Sequence, residues 1–142
     1  MQVKRILLVD DYPDALEVWG LYLRSRGYDV VTADNGLDAV DRAHFYLPDL
    51  IVLDLELPGI SGYDAAILLR ASEETSGIPL VAATGYSHAR QLDRARECGF
   101  DSILIKPCDP AALASEIERL LQQPLVQLRS VEVPVQRLSQ NR

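Results

Sequence analysis

Between residues 5 and 122, short apolar runs alternate five times with stretches whose apolar side chains recur at helical spacing. Ile6-Leu7-Leu8-Val9 is apolar at consecutive positions, the pattern of a strand covered on both faces of a parallel sheet. Pro13 suits the first turn of a helix, where its missing N–H costs nothing, and Leu16, Trp19, Gly20 and Leu23 keep the helical period until Gly27 stops it. Asp29 to Ala33 predicts a weaker second strand, then a helix from about Asn35 to Tyr46 with Asn35 as N-cap. Leu50-Ile51-Val52-Leu53 is a third buried strand. After Leu57-Pro58-Gly59, Ser61 and Asp64 stand at capping-box spacing before a helix carrying Ile67, Leu68 and Leu69. Pro79 to Ala83 predicts a fourth strand, Ser87 to Glu97 a polar helix, and Ser102 to Ile105 a fifth strand. Asp109-Pro110 then opens a last helix with the stripe Leu113, Ile117, Leu120 and Leu121.

Five strand–helix units in succession predict an α/β fold, a five-stranded parallel sheet with right-handed crossovers and helices on both faces. A closed eight-stranded barrel needs roughly 250 residues, and the chain has 142. The sheet is therefore expected to be open and doubly wound, with its crevice at the carboxyl ends of the strands. From Gln123 onward the pattern is lost, with Pro124 and Pro134 interrupting. Residues 1–122 form the expected domain and 123–142 a mobile C-terminal tail, the alternative being a docking segment that orders on a partner.

Charge and cysteine content narrow the function. Residues 1–122 carry 20 acidic and 11 basic side chains, net −9, while 123–142 carry three arginines against Glu132, net +2. An acidic body argues against nucleic-acid binding by counterion release. No apolar run approaches the roughly 18 residues of a membrane span, and the first run ends in two aspartates, unlike a secretory leader. Cys98 and Cys108 are not spaced as C-x-x-C and are too few for a disulfide scaffold, so the reducing cytoplasm is the expected compartment.

The informative residues fall at the predicted strand ends: Asp10-Asp11 after the first, Asp54 after the third, Thr84 after the fourth and Lys106 after the fifth. Three carboxylates gathered at one edge repel one another unless a cation neutralises them, and an all-oxygen donor set without His or Cys suits Mg²⁺ or Mn²⁺. Such an ion keeps positions open for phosphate oxygens, while Thr84 offers a hydroxyl and Lys106 a point charge. Neither a G-x-x-x-x-G-K-[ST] loop nor a G-x-G-x-x-G turn is present, which weakens nucleotide readings. A carboxylate is ionised at neutral pH and attacks phosphorus without a general base, and Asp54, alone on its strand end, is the natural nucleophile.

Asp10-Asp11, Asp54 within Ile51-Val52-Leu53-Asp54-Leu55-Glu56-Leu57-Pro58-Gly59, Thr84-Gly85 and Lys106-Pro107 together resemble the receiver domain of two-component response regulators over about residues 4 to 122. The resemblance implies a flavodoxin-like strand order 2-1-3-4-5. It also implies that Asp54 accepts a phosphoryl group from a phosphohistidine on a sensor histidine kinase or histidine phosphotransfer protein. Asp11, Asp54 and the Glu56 backbone carbonyl would ligate Mg²⁺, with Asp10 acting through a coordinated water. Thr84 and Lys106 would hold the phosphoryl oxygens, and Lys106-Pro107 would be a cis bond. The family's switch aromatic is replaced here by Ile103, so output would pass through the loop after Thr84 and the following helix, with Tyr86 a possible substitute. Glu56 and Tyr86 occupy positions that tune phosphoryl lifetime, and a downstream protein or a second copy would bind through the 87–122 face.

Other residues have plainer expectations. Asp34, Asp38, Asp49, Asp64, Asp93 and Asp101 read as turn, cap or surface residues, His44 and His88 as solvated or satisfied, Cys98 and Cys108 as packing and loop thiols, and Trp19 as core. No DNA-binding or enzymatic pattern follows residue 122, which favours a stand-alone phosphoacceptor over a turnover enzyme. The competing classes are a metal-dependent phosphatase or phosphomutase, a receiver that binds its partner without phosphorylation, and the receiver piece of a longer hybrid kinase or regulator.

Overall fold

The computed structural model describes residues 2–122 and the backbone of 135–136. The strands are β1 (Arg5–Val9), β2 (Asp29–Ala33), β3 (Leu50–Leu53), β4 (Leu80–Thr84) and β5 (Ser102–Ile105); the helices are α1 (Pro13–Ser25), α2 (Gly36–Tyr46), α3 (Gly62–Ala71), α4 (Ala89–Cys98) and α5 (Pro110–Leu121). These five strands run parallel in the order β2-β1-β3-β4-β5, as the resemblance implies. Alternate side chains of each strand enter opposite cores. Leu7, Val9, Ile51, Leu53, Leu80 and Ile103 meet α2, α3 and α4, whereas Ile6, Leu8, Leu50, Val52, Val81 and Leu104 meet α1 and α5. Both faces being covered is why the strands read as unbroken apolar runs.

The helix starts follow local chemistry. Asn35 and Ser61 accept hydrogen bonds from the Asp38 and Asp64 N–H groups, and prolines open α1 and α5. The polar helix begins at Ala89, two residues later than the pattern suggests, because the backbone stays extended at its N-cap His88, whose N–H donates to Gln91 Oε1 at 3.3 Å.

A sixth strand departs from the five-stranded expectation. The backbone of β6 (Val135–Gln136) pairs parallel to β5, with Ile103 opposite Val135 and Leu104 opposite Gln136. Two residues are too few to leave an alternation that a sequence pattern would reveal. The rest of the expected tail, 123–134 and 137–142, lies outside the described residues, and so does the expectation of its mobility.

Candidate functional site

The parallel register brings the strand ends level. Val9 pairs with Leu53, Leu53 with Ala82 and Thr84 with Ile105, so the residues that follow emerge side by side at the carboxyl edge. The Asp54 N–H still donates to the Val9 carbonyl at 3.1 Å, and that of Lys106 to the Thr84 carbonyl at 2.7 Å. The ladder thus fixes the backbone on which each functional side chain stands. Carboxylate oxygens of Asp10, Asp11 and Asp54 lie within 4.8 Å of one another, with Asp10 and Asp54 buried and Asp11 exposed. Lys106 reaches across from β5, its Nζ 2.5 Å from Asp10 Oδ2 and 3.1 Å from Asp54 Oδ2.

The two buried acids are also held by backbone. Asp10 Oδ1 accepts from the Tyr12 N–H at 2.9 Å, and Asp54 Oδ1 from the Glu56 N–H at 3.1 Å. Thr84 is fully buried, and its Oγ1 accepts the Tyr86 N–H at 2.9 Å, which leaves the hydroxyl proton free to be given elsewhere. The Lys106-Pro107 bond is cis. Burial raises the Asp54 pKa above its ordinary value; the Lys106 charge and the Glu56 N–H oppose that without cancelling it. For Lys106, burial favours the neutral amine, but hydrogen bonding and charge from Asp10 and Asp54 prevail and raise its pKa. The cluster is excess negative charge with one ammonium against it, a setting that suits a divalent cation held by hard oxygen donors.

Asp10, Asp11, Asp54, Thr84 and Lys106 thus meet at one edge, and Glu56 and Tyr86 line, together with Asp11, an open cleft of about 540 Å³. Ile103 is fully buried in the core between the sheet and the α2–α3–α4 layer. Asp101 corrects the surface expectation: it is buried, accepts the Leu80 N–H at 2.9 Å and pairs with Arg70 at 3.0 Å. His44 is satisfied, its ring bridging the Val40 carbonyl and Ser72 Oγ. Trp19 is core as expected, yet its ring also lies 5.7 Å from Lys106 Nζ. Two features escaped sequence reasoning: the buried Glu116, bonded to Ser102 and Arg119, and the stacking of Tyr63 with Tyr86. Glu116 at helical spacing from Leu113 and Leu120 was the available signal for the first; nothing local signals the second.

Residues 6–118 match the response regulator receiver domain family. The chain belongs to that family. Among its relatives, the DNA-binding response regulator MtrA of Mycolicibacterium smegmatis is 34% identical over 120 residues, covering 84% of this chain and 51% of MtrA. The chain therefore spans about half the length of that relative. The polar-differentiation response regulator DivK of Brucella anthropi is 30% identical, over 73% of this chain and 85% of DivK. Among solved structures, the receiver domain of a Pseudomonas aeruginosa sensor histidine kinase superposes with TM-score 0.80 at 31% identity, covering 86% of this chain and all of that one. It carries a magnesium ion coordinated in its active-site cleft. As a two-component receiver domain, the chain is a module of phosphoacceptor signalling. Among the described residues no helix is long and apolar enough to cross a membrane.

Proposed function

We propose that Asp54 is the phosphoacceptor of this receiver and that a phosphohistidine on a sensor histidine kinase or phosphotransfer protein is the donor. The observation that carries this reading is Lys106 Nζ lying 3.1 Å from Asp54 within a group of three carboxylates. A carboxylate oxygen of Asp54 attacks phosphorus as the P–N bond breaks; the electron pair leaves on the imidazole nitrogen, which takes up a proton. Charge spreads over the three phosphoryl oxygens in the transition state, so catalysis consists of placing positive and donor groups around them. Lys106, displaced from Asp54, pairs with one oxygen, and the Thr84 hydroxyl donates to another.

Asp11, Asp54 and the Glu56 carbonyl would hold Mg²⁺ or Mn²⁺ directly, with Asp10 acting through water, and the hard oxygen donors gathered here fit such an ion. When bound, it supplies charge neutralisation and a fixed coordination site for a phosphoryl oxygen. The chain is read as a phosphoacceptor that promotes its own phosphorylation and dephosphorylation, with no turnover of an external substrate. Its compartment is read as the cytoplasm, in keeping with two free cysteines.

Output is assigned to the loop after Thr84 and to α4, because Ile103 offers no aromatic to move. A protein target or a second copy would bind the 87–122 face. Since β6 already pairs with β5, that partner would meet α4 and α5 in preference to the β5 edge. The acidic body, net −9 over residues 1–122, is assigned no nucleic-acid contact of its own.

Intact mass after incubation with acetyl phosphate and Mg²⁺ tests the central claim. The parent chain gains one phosphoryl group, and the gain vanishes with EDTA and in Asp54→Ala. A folded parent that gains nothing under donor excess refutes it and favours a phosphorylation-independent binding module.

A further inference from the structure

Tyr86 is held at the mouth of the cleft by residues outside the acidic cluster. Its ring stacks on Tyr63 with centroids 6.5 Å apart and planes 9° from parallel. Tyr63 is buried in the second position of α3, and its hydroxyl donates to the Gln91 carbonyl of α4 at 3.3 Å. Arg94, one turn further along α4 and exposed, places its guanidinium carbon 4.1 Å from the Tyr63 ring centroid, close for a cation–π contact. All three side chains line the cleft that also contains Asp11 and Glu56. At its other end Tyr86 is tied to the chemistry through its N–H, which occupies an acceptor position of Thr84 Oγ1.

We propose that Arg94 is a positioning residue for the phosphoryl chemistry: through the Tyr63 ring it holds Tyr86 across the cleft, orienting the Thr84 hydroxyl and limiting water at Asp54. The mechanical argument is short. The loop from Gly85 to His88 between β4 and α4 carries Tyr86, and the Arg94–Tyr63–Tyr86 chain of contacts ties that loop to two helices. Removing the guanidinium loosens the tie without touching a metal ligand, the nucleophile or Thr84. The same chain gives α4 a route by which it feels the state of Thr84, since drawing Thr84 toward a phosphoryl oxygen pulls on the Tyr86 N–H and on the ring stacked against Tyr63.

This inference rests on Asp54 being the acceptor, and the experiment separates the two. The full chain is phosphorylated with acetyl phosphate and Mg²⁺, the donor is removed, and loss of the phosphoryl group is followed by intact mass for the parent, Arg94→Gln and Arg94→Lys. Arg94→Gln is expected to lose phosphate about twofold to fivefold faster, the factor that corresponds to loss of an exposed cation–π contact. Its tyrosine near-ultraviolet dichroism should weaken as the Tyr63–Tyr86 stack loosens. Arg94→Lys, which keeps a cation over the ring, should return both readouts toward the parent. If the parent gains no phosphoryl group, the acceptor assignment fails and takes this inference with it. If the parent is phosphorylated and Arg94→Gln decays at the parent rate, the positioning role alone is refuted, even where thermal stability has fallen. Failure of Arg94→Lys to rescue refutes it as well, because a cation over the ring would then not be what matters.

Discussion

Gly62 offers a direct test of how tightly the segment carrying Asp54, the proposed phosphoacceptor, is seated. A Cβ at residue 62 would lie 2.1 Å from the Asp54 carbonyl oxygen, 2.7 Å from Leu55 Cα and 2.9 Å from the Asp54 carbonyl carbon. All three atoms are backbone, so no flexible side chain can swing aside. Restoring ordinary contact needs a displacement of more than about 1 Å in a segment whose N–H groups are bonded to β1 and to the Asp54 carboxylate. Gly62→Ala should therefore cost about 3 kcal/mol, the upper part of the usual overpacking range, which in a domain of this size lowers Tm by roughly 10 °C. Because the displaced atoms belong to residue 54 itself, the rate of phosphorylation by acetyl phosphate should fall beyond what the lost stability explains, measured at a temperature where both proteins remain folded. Gly85→Ala is the matched control: a Cβ there meets nothing within 4 Å, so stability should be unchanged or higher by about 0.5 kcal/mol through the unfolded chain. Urea unfolding and intact mass supply the two readouts. A Gly62→Ala protein with parental stability and phosphorylation rate, or a Gly85→Ala protein as damaged as Gly62→Ala, would refute the close-packing argument.

Three further outcomes are expected. Glu116 is held below its ordinary value of 4.5 because its bonds with Arg119 and Ser102 outweigh burial, so the stability it contributes is present above that value and is lost as pH falls through the lower folded pKa. The gap in unfolding free energy between parent and Glu116→Gln, about 1 kcal/mol at neutral pH given the partial exposure of Arg119, should therefore close below pH 4.5; a gap independent of pH would count against the ion pair. Burial pushes the Cys108 thiol from 9.0 to about 11, so its alkylation by iodoacetamide at pH 8, followed by peptide mass, should be about a hundredfold slower than in the urea-unfolded chain. Equal rates would show an open thiol. Trp19, the sole tryptophan, lies 5.7 Å from Lys106 Nζ, so Mg²⁺ binding at the carboxylates that hold Lys106 should change its emission saturably, and Asp11→Ala should abolish the change. An unresponsive Trp19 in a chain whose phosphorylation requires Mg²⁺ would show that Lys106 stays in place when the ion binds.

What the sequence made legible depended on whether a signal was local or repeated. Each parallel strand, buried on both faces, announces itself as an unbroken apolar run, and the five residues that assemble the acidic cleft sit immediately beyond such runs or at their last residue. Strand order then converts five separate positions into one edge, which is why the cleft could be expected before any contact was known. The strand β6 was hidden because two residues have no periodicity, and the start of α4 shifted because its cap is a histidine, outside the usual capping set.

The aspartates show where this kind of reading stops. Asp10 and Asp101 both follow or precede a strand by one residue and both are buried, yet one joins the carboxylate cluster of the proposed phosphoryl site and the other a structural ion pair. The deciding partner in each case is distant along the chain: Lys106 for Asp10, 96 residues away, and Arg70 for Asp101, 31 residues away. Asp10 lies at the carboxyl end of its strand and Asp101 at the amino end, so in a parallel sheet they occupy opposite edges. Polarity along the strand, a property the sequence does carry, separates the two roles once the strands are known to be parallel. Arg94 and Tyr63 lie beyond even that rule, because a cation over a ring joins two helices whose relative rotation only the packed core determines. A carboxylate cluster built on strand ends is therefore readable from sequence, whereas the contacts that join its cleft to α3 and α4 have to be read from the fold.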